Sequence, residues 1–227
     1  MTSIMKELIN KYSYPSVNDV YLRPALCLDL DVYPKVFLVG YNPATPIHVK
    51  DLSRDDYIQL LLSHTNFMSY YEKLREQKGK TKQSPTRKRM NHLVSRVLTE
   101  ANEIMLETNV YSYPTSNEKE LSKLPTSVLE EIKQPFTDLL HTFQPKVIAI
   151  HGQKALQEVI MTLRNLKYFP ENVLIKQGEK MKFMYPNGEA CTIIPYRHLS
   201  RIENISYEQF QKLLIQEIKS KNRTFNF

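Results

Sequence analysis

The chain has 227 residues, enough for one sizeable hydrophobic core and too few for two comfortable domains. With 41% hydrophobic and 24% charged residues, and no apolar run near the roughly 18 residues of a membrane span, the composition speaks against a membrane-embedded protein and for a soluble, globular one. A formal charge of +7 and a pI of about 9.2 favour polyanionic partners, nucleic acid among them.

In chain order, the opening MTSIMKELINKYSYPS has neither an apolar h-region nor a small-residue cleavage site, so a cytoplasmic protein is expected; within it, MKELINKY is a short amphipathic start. KVFLVG, residues 35–40, is a continuous β-branched and aromatic run, predicted as a strand covered on both faces. RDDYIQLLLSHTNFMSYYEKLRE is helical in part, with Asp55 and Asp56 near its N-terminus. QKGKTKQSPTRKR has no apolar period and reads as a basic loop, around residues 76–90. MNHLVSRVLTEAN returns to helix, and IMLETNVYSYP reads as the second strand ending in a turn.

A helix is expected from about Thr126 to Phe143, then the strand PKVIAIHG, then the helix QKALQEVIMTLRNL. MKFMYPNGEACTIIPY resembles a hairpin because Asn187-Gly188 is a strong two-residue turn signal, and SYEQFQKLLIQEIKSK closes the chain as an amphipathic helix. The alternation of helices and strands with short turns predicts one α/β domain over residues 1–227: three layers, α-β-α, around a mainly parallel central sheet of about four strands. In such sheets ligands bind beyond the carboxyl ends of the strands. Those ends carry Gly40-Tyr41-Asn42-Pro43, Asn109, His151-Gly152 and the segment from Pro195 to Arg201.

Common catalytic motifs fail. Gly79-Lys80-Thr81 mimics the end of a phosphate-binding loop, but that pattern needs a glycine five residues earlier, where Leu74 stands. There is no GxGxxG, HExxH, CxxC or GxSxG, and the six histidines show no metal-ligand spacing. Cys27 and Cys191, far apart in sequence, fit neither a disulfide framework nor a metal cluster. A protein without metal or cofactor is expected.

Four segments carry a resemblance. VGYNPAT resembles the first motif of the uracil-DNA glycosylase superfamily, a Gly-x-Asp/Asn-Pro turn after the first strand; asparagine marks its mismatch-specific and single-strand-selective branches. ETNVYSYPT is similar to the second-strand segment whose asparagine reads the uracil edge, and IIPYRHLSR looks like the closing motif after the last strand. VIAIHGQKAL resembles the strand-to-helix step between them. The resemblance implies a monofunctional, hydrolytic DNA glycosylase acting on uracil, or on a mismatched or modified pyrimidine such as phage DNA carries, in base-excision repair or phage defence.

Breaking an N-glycosidic bond develops positive charge on the sugar and negative charge on the departing base, so a site needs a held water and a donor at the base oxygen. The resemblance implies that Asn42 orients the water, with Gly40, Tyr41 and Pro43 shaping the turn around the base. An amide positions a water but does not take its proton. His198 would donate to the base oxygen and Asn109 would read the base edge. Phe67, Tyr57 and Tyr70 are the candidate stacking aromatics, Phe67 foremost.

The closing segment admits two registers. In one, His198 is the histidine of a His-Pro-Ser form; in the other, Leu199, Ser200 and Arg201 align with the end of an Asn-Pro-Ser-Gly-Leu-Ser-Arg form, and Leu199 and Arg201 wedge into the duplex. Arg197, Lys80, Lys82, Arg87, Lys88 and Arg89 are expected to meet DNA phosphates. A monomer is expected. Two rivals stay open: a non-catalytic DNA-binding protein of the same fold, and an enzyme cleaving free nucleosides, which a basic loop does not favour.

Overall fold

The computed structural model describes residues 3–26, 33–115, 118–171 and 178–223. Cys27 lies outside the described residues; Cys191 is a buried free thiol whose pKa burial pushes up. In chain order the elements begin with α1 (Ser3–Tyr12), β1 (Ala25–Leu26), β2 (Val36–Gly40), α2 (Arg54–Leu61), α3 (His64–Gln77), α4 (Pro85–Ala101) and β3 (Met105–Asn109). They continue with α5 (Glu118–Leu121), α6 (Thr126–Phe143), β4 (Val147–His151), α7 (Gln153–Asn165), β5 (Met181–Met184), β6 (Ala190–Tyr196) and α8 (Asn204–Arg223). The protein is α/β, and its six described strands form a mixed sheet. No helix among the described residues is long and apolar enough to cross a membrane.

Contacts gather the chain into two compact units. The first comprises Met1–Tyr33, Gly40–Lys82 and Leu106–Thr142; the second comprises Pro34–Val39, Gln83–Met105 and Phe143–Phe227.

In the second unit β2, β4 and β6 are parallel neighbours, with Leu38 opposite Ala149 and His151 opposite Tyr196. Every residue of β2 and β4 is buried, as their unbroken apolar runs predict for strands covered on both faces. β5 runs antiparallel to β6, Phe183 opposite Cys191. Their hairpin turns at Asn187-Gly188, where Gly188 takes a φ of +84°. Helix α7 packs on β4, and α8 packs on β4, β6 and α4. The buried Glu217 of α8 accepts from Thr192 Oγ1 at 2.8 Å and from Lys180 Nζ at 2.9 Å.

In the first unit β1 pairs antiparallel with β3, Ala25 opposite Thr108. Helices α1, α2 and α3 pack in sequence order, and the buried rings of Tyr21 and Tyr57 stack at 4.7 Å.

Several elements differ from expectation. Among the described residues there are six strands instead of about four: β1 has two residues, too few to show a period, and the hairpin supplies two strands. The expected loop around residues 76–90 is helical from Pro85, because Ser84 caps α4 by accepting from the Arg87 amide and Pro85 fits the first turn. The helical stretch from Arg54 breaks at Leu62, where Ser63 caps α3 by accepting from the Asn66 amide. The second strand ends at Asn109, short of the expected turn at Pro114.

Candidate functional site

The expected site residues divide between the two units: Gly40 to Pro43, Phe67, Lys80, Lys82 and Asn109 fall in the first, and Arg87 to Arg89 and Arg197 to Arg201 in the second.

In the first unit the end of β2 and the end of β3 are tied together by backbone. The Val110 amide donates to the Gly40 carbonyl and the Tyr111 amide to the Tyr41 carbonyl, each at 3.0 Å. The Thr115 amide donates to the Pro43 carbonyl at 3.1 Å, so the turn is held on both flanks. Asn42 is half-buried in this frame, and its Nδ2 donates to Thr115 Oγ1 at 2.6 Å and to the Pro43 carbonyl at 3.3 Å. A carbonyl only accepts, so the amide nitrogen must face Pro43, and Oδ1 is turned away as an open acceptor among the described residues.

Asn109, at the last position of β3, is half-buried, and its amide makes no hydrogen bond among the described residues. Its donor and acceptor are therefore unspent. Tyr41 is half-buried, set edge-to-face on the buried Tyr111 ring at 5.3 Å.

The loop after Pro43 is pinned from beneath by Arg23, which is almost wholly buried. Its guanidinium donates to the Ala44 carbonyl at 3.1 Å and the Thr45 carbonyl at 2.9 Å. Thr45 takes a φ of +66°, a costly conformation for a β-branched residue that persists only where surroundings impose it. The other face of Arg23 lies over the Phe67 ring at 4.7 Å. Phe67 is fully buried, so it offers no open face to a base; Tyr57 is also buried, and Tyr70 is half-buried.

In the second unit His151, the last residue of β4, is buried, and its ring meets that of His198 edge-on at 5.3 Å. Gly152 follows with a φ of +102°, open to glycine alone without strain, and caps α7. His198 is exposed; its Nδ1 lies 2.8 Å from Ser200 Oγ and accepts from the Ser200 amide at 3.3 Å. An Nδ1 that accepts leaves the proton of the neutral ring on Nε2, which makes Nε2 a donor.

Two expected DNA contacts are spent inside the protein instead. Leu199 is fully buried, which does not suit a wedge standing in solvent. The Arg89 guanidinium donates to the Leu199 carbonyl at 2.5 Å, the Ile202 carbonyl at 2.7 Å and Asn204 Oδ1 at 2.9 Å, and lies over the Tyr207 ring. Arg89 thus fastens the closing loop to α4 and has little left for a phosphate. Arg197, Ser200, Arg201, Lys80, Lys82 and Lys88 are exposed, and Arg87 is half-buried. Lys82 sits 3.7 Å from Glu76.

Sequence reasoning missed three residues here. Thr115 orients Asn42, Arg23 braces the loop beyond it, and the buried Glu107 lies 3.6 Å from His64 Nε2. Arg23 and Glu107 carried a usable signal: each is a charge set in an otherwise apolar stretch, YLRPAL and IMLET. Thr115 carried none. Among the described residues no group of three or more histidine, cysteine or acidic side chains is placed to hold a metal ion. The sequence matches no protein-family model and no curated protein.

Proposed function

We propose that the protein is a DNA glycosylase of the uracil-DNA glycosylase superfamily, in its asparagine-type branch, hydrolysing the N-glycosidic bond of uracil or of a modified or mismatched pyrimidine flipped out of DNA. The observation that carries this is the Asn42 turn: an amide clamped through its nitrogen, with its oxygen left open to accept from a water. The unspent amide of Asn109, tied to the same turn through Gly40 and Tyr41, supports it, since one amide can give uracil both a donor and an acceptor.

In the reaction, water oxygen bonds to C1′ of the sugar while the C1′–N1 bond breaks and its electron pair leaves with the base. Asn42 Oδ1 holds the water by accepting one of its hydrogens. No carboxylate stands in the turn to take the surplus proton, which passes to solvent, and the chemistry is slower than an aspartate turn would allow. His198 keeps the donor role that the resemblance gives it, its Nδ1 occupied by the Ser200 amide. Tyr41 stacks on the base in place of the buried Phe67. The proposal includes the three-layer α-β-α architecture, a monomeric state, DNA as partner through Arg197, Arg201, Lys80, Lys82, Arg87 and Lys88, intracellular work on DNA, and no need of metal or cofactor.

Asparagine where a carboxylate gives faster chemistry favours a second reading, a non-catalytic DNA-binding protein of the same fold. Base release separates the two. Incubated with oligonucleotides carrying uracil in single strands, opposite guanine and opposite adenine, and with a panel of modified pyrimidines, the protein is expected to liberate free base from at least one. DNA binding with no base released from any substrate would leave the second reading standing.

A further inference from the structure

Next to the Asn42 turn the first unit contains a cavity of about 170 Å³, lined by Ala44, Thr45, Pro46, Arg75, Lys78 and Lys80. Three cations and no carboxylate face it. Glu76, the acid within their run, lies 3.7 Å from Lys82. The cavity sits where α3 ends, and helix C-terminal carbonyls would ordinarily repel an anion. Here they are answered: the Arg75 carbonyl accepts from the Lys78 and Lys80 amides and the Glu76 carbonyl from the Gly79 amide, with Gly79 at a φ of +65°.

On the opposite wall, the Ala44 and Thr45 carbonyls accept from Arg23, which neutralises their negative ends. Arg75 is oriented by donating from Nε to the Thr81 carbonyl at 2.7 Å. A pocket of this size, with one guanidinium, two flexible ammonium groups and the Ala44, Thr45, Arg75 and Glu76 carbonyls satisfied, suits a tetrahedral anion.

We infer that this cavity binds a backbone phosphate of nucleic acid, one flanking the nucleotide presented to Asn42. Ala44 is two residues from Asn42, at most about 7 Å of chain, so a phosphate here belongs to the immediate neighbourhood of the reacting base. The inference rests on the reading of DNA as substrate, and makes that substrate a polymer and not a free nucleoside. A free phosphate ion shares the chemistry, and the test distinguishes the two sources.

The test uses single-stranded oligonucleotides free of uracil and of modified bases, so its outcome does not depend on catalysis. Binding is measured across salt for the wild type, for Lys78→Ala with Lys80→Ala, for the same pair changed to arginine, and for a charge-matched control, Lys212→Ala with Lys219→Ala on the exposed face of α8. Losing one phosphate contact is expected to reduce the slope of log affinity against log salt by about 0.7. The arginine pair restores the slope and the control leaves it unchanged. An unchanged slope in the alanine pair, or an equal change in the control, would overturn the inference. In parallel, the Thr45, Lys78 and Lys80 amides are followed by NMR as oligonucleotide or inorganic phosphate is added. Shifts with the oligonucleotide are expected; shifts with inorganic phosphate alone would assign the cavity to a free anion and overturn the inference as well.

Discussion

At the scale of single residues, Asn42 matters through what fixes its amide. An asparagine amide is nearly symmetric in shape, and its usefulness in a hydrolytic site depends on which end faces the water. Pro43 and Thr115 hold the nitrogen end of Asn42, the first by offering only an acceptor, the second by a hydrogen bond of 2.6 Å. Thr115→Val keeps shape and burial while removing the hydroxyl, and is expected to slow single-turnover base release about tenfold to a hundredfold, with Thr115→Ser restoring it and DNA affinity unchanged. A purely structural role for Thr115 would instead lower thermal stability and leave the single-turnover rate of the folded protein as it was. The turn itself was legible in the sequence, because a β-branched run that stops at glycine and then places asparagine against proline is a local pattern. Thr115 was not, since a partner 73 positions away is visible only once the Gly40-Tyr41 and Val110-Tyr111 backbones are joined by their hydrogen bonds.

At the scale of elements the buried carboxylate of α8 ties that helix to β6. Burial works against the charged form of Glu217, but the hydrogen bonds from Lys180 and Thr192 outweigh it and hold its pKa below the ordinary 4.5. A lowered carboxylate contributes stability that is fully present above its unfolded value and is lost as pH falls through the folded one. Thr192→Val leaves a buried carboxylate oxygen unanswered and is expected to cost about 1–3 kcal/mol near neutral pH. The cost should shrink as pH falls below the ordinary 4.5 and the carboxyl takes up a proton; a penalty independent of pH in urea unfolding would show that the network does not carry it. Neither Thr192 nor Glu217 could be paired from sequence, for they lie 25 positions apart on elements of different type. The helices and inner strands were legible because their apolar periods are long. What escaped was decided by single residues: Ser84 and Pro85 starting α4 inside an expected loop, Ser63 restarting α3, and a two-residue β1 too short to show any period.

At the scale of the whole molecule a charge of +7 sets the terms of association with a polyanion. A ligand bound by the folded state alone stabilises it by about 2.7 kcal/mol at a hundredfold excess over Kd. For a chain of this size that corresponds to a rise in Tm of about 5–10 °C with an undamaged single-stranded oligonucleotide, fading as salt is raised. An unchanged Tm at low salt would remove nucleic acid as the partner. The expected wedge and one expected phosphate contact failed for a reason at this same scale: sequence reveals that Leu199 and Arg89 are apolar and basic, but not that Leu199 is buried and Arg89 fastens its loop. The most direct test of the central claim is alkali-induced strand cleavage of end-labelled oligonucleotides, uracil-containing and modified, by the wild type and by Asn42→Ala. Alkali-labile sites made by the wild type and absent with a folded Asn42→Ala protein are the predicted result. Equal cleavage by both would place the chemistry elsewhere and contradict the account.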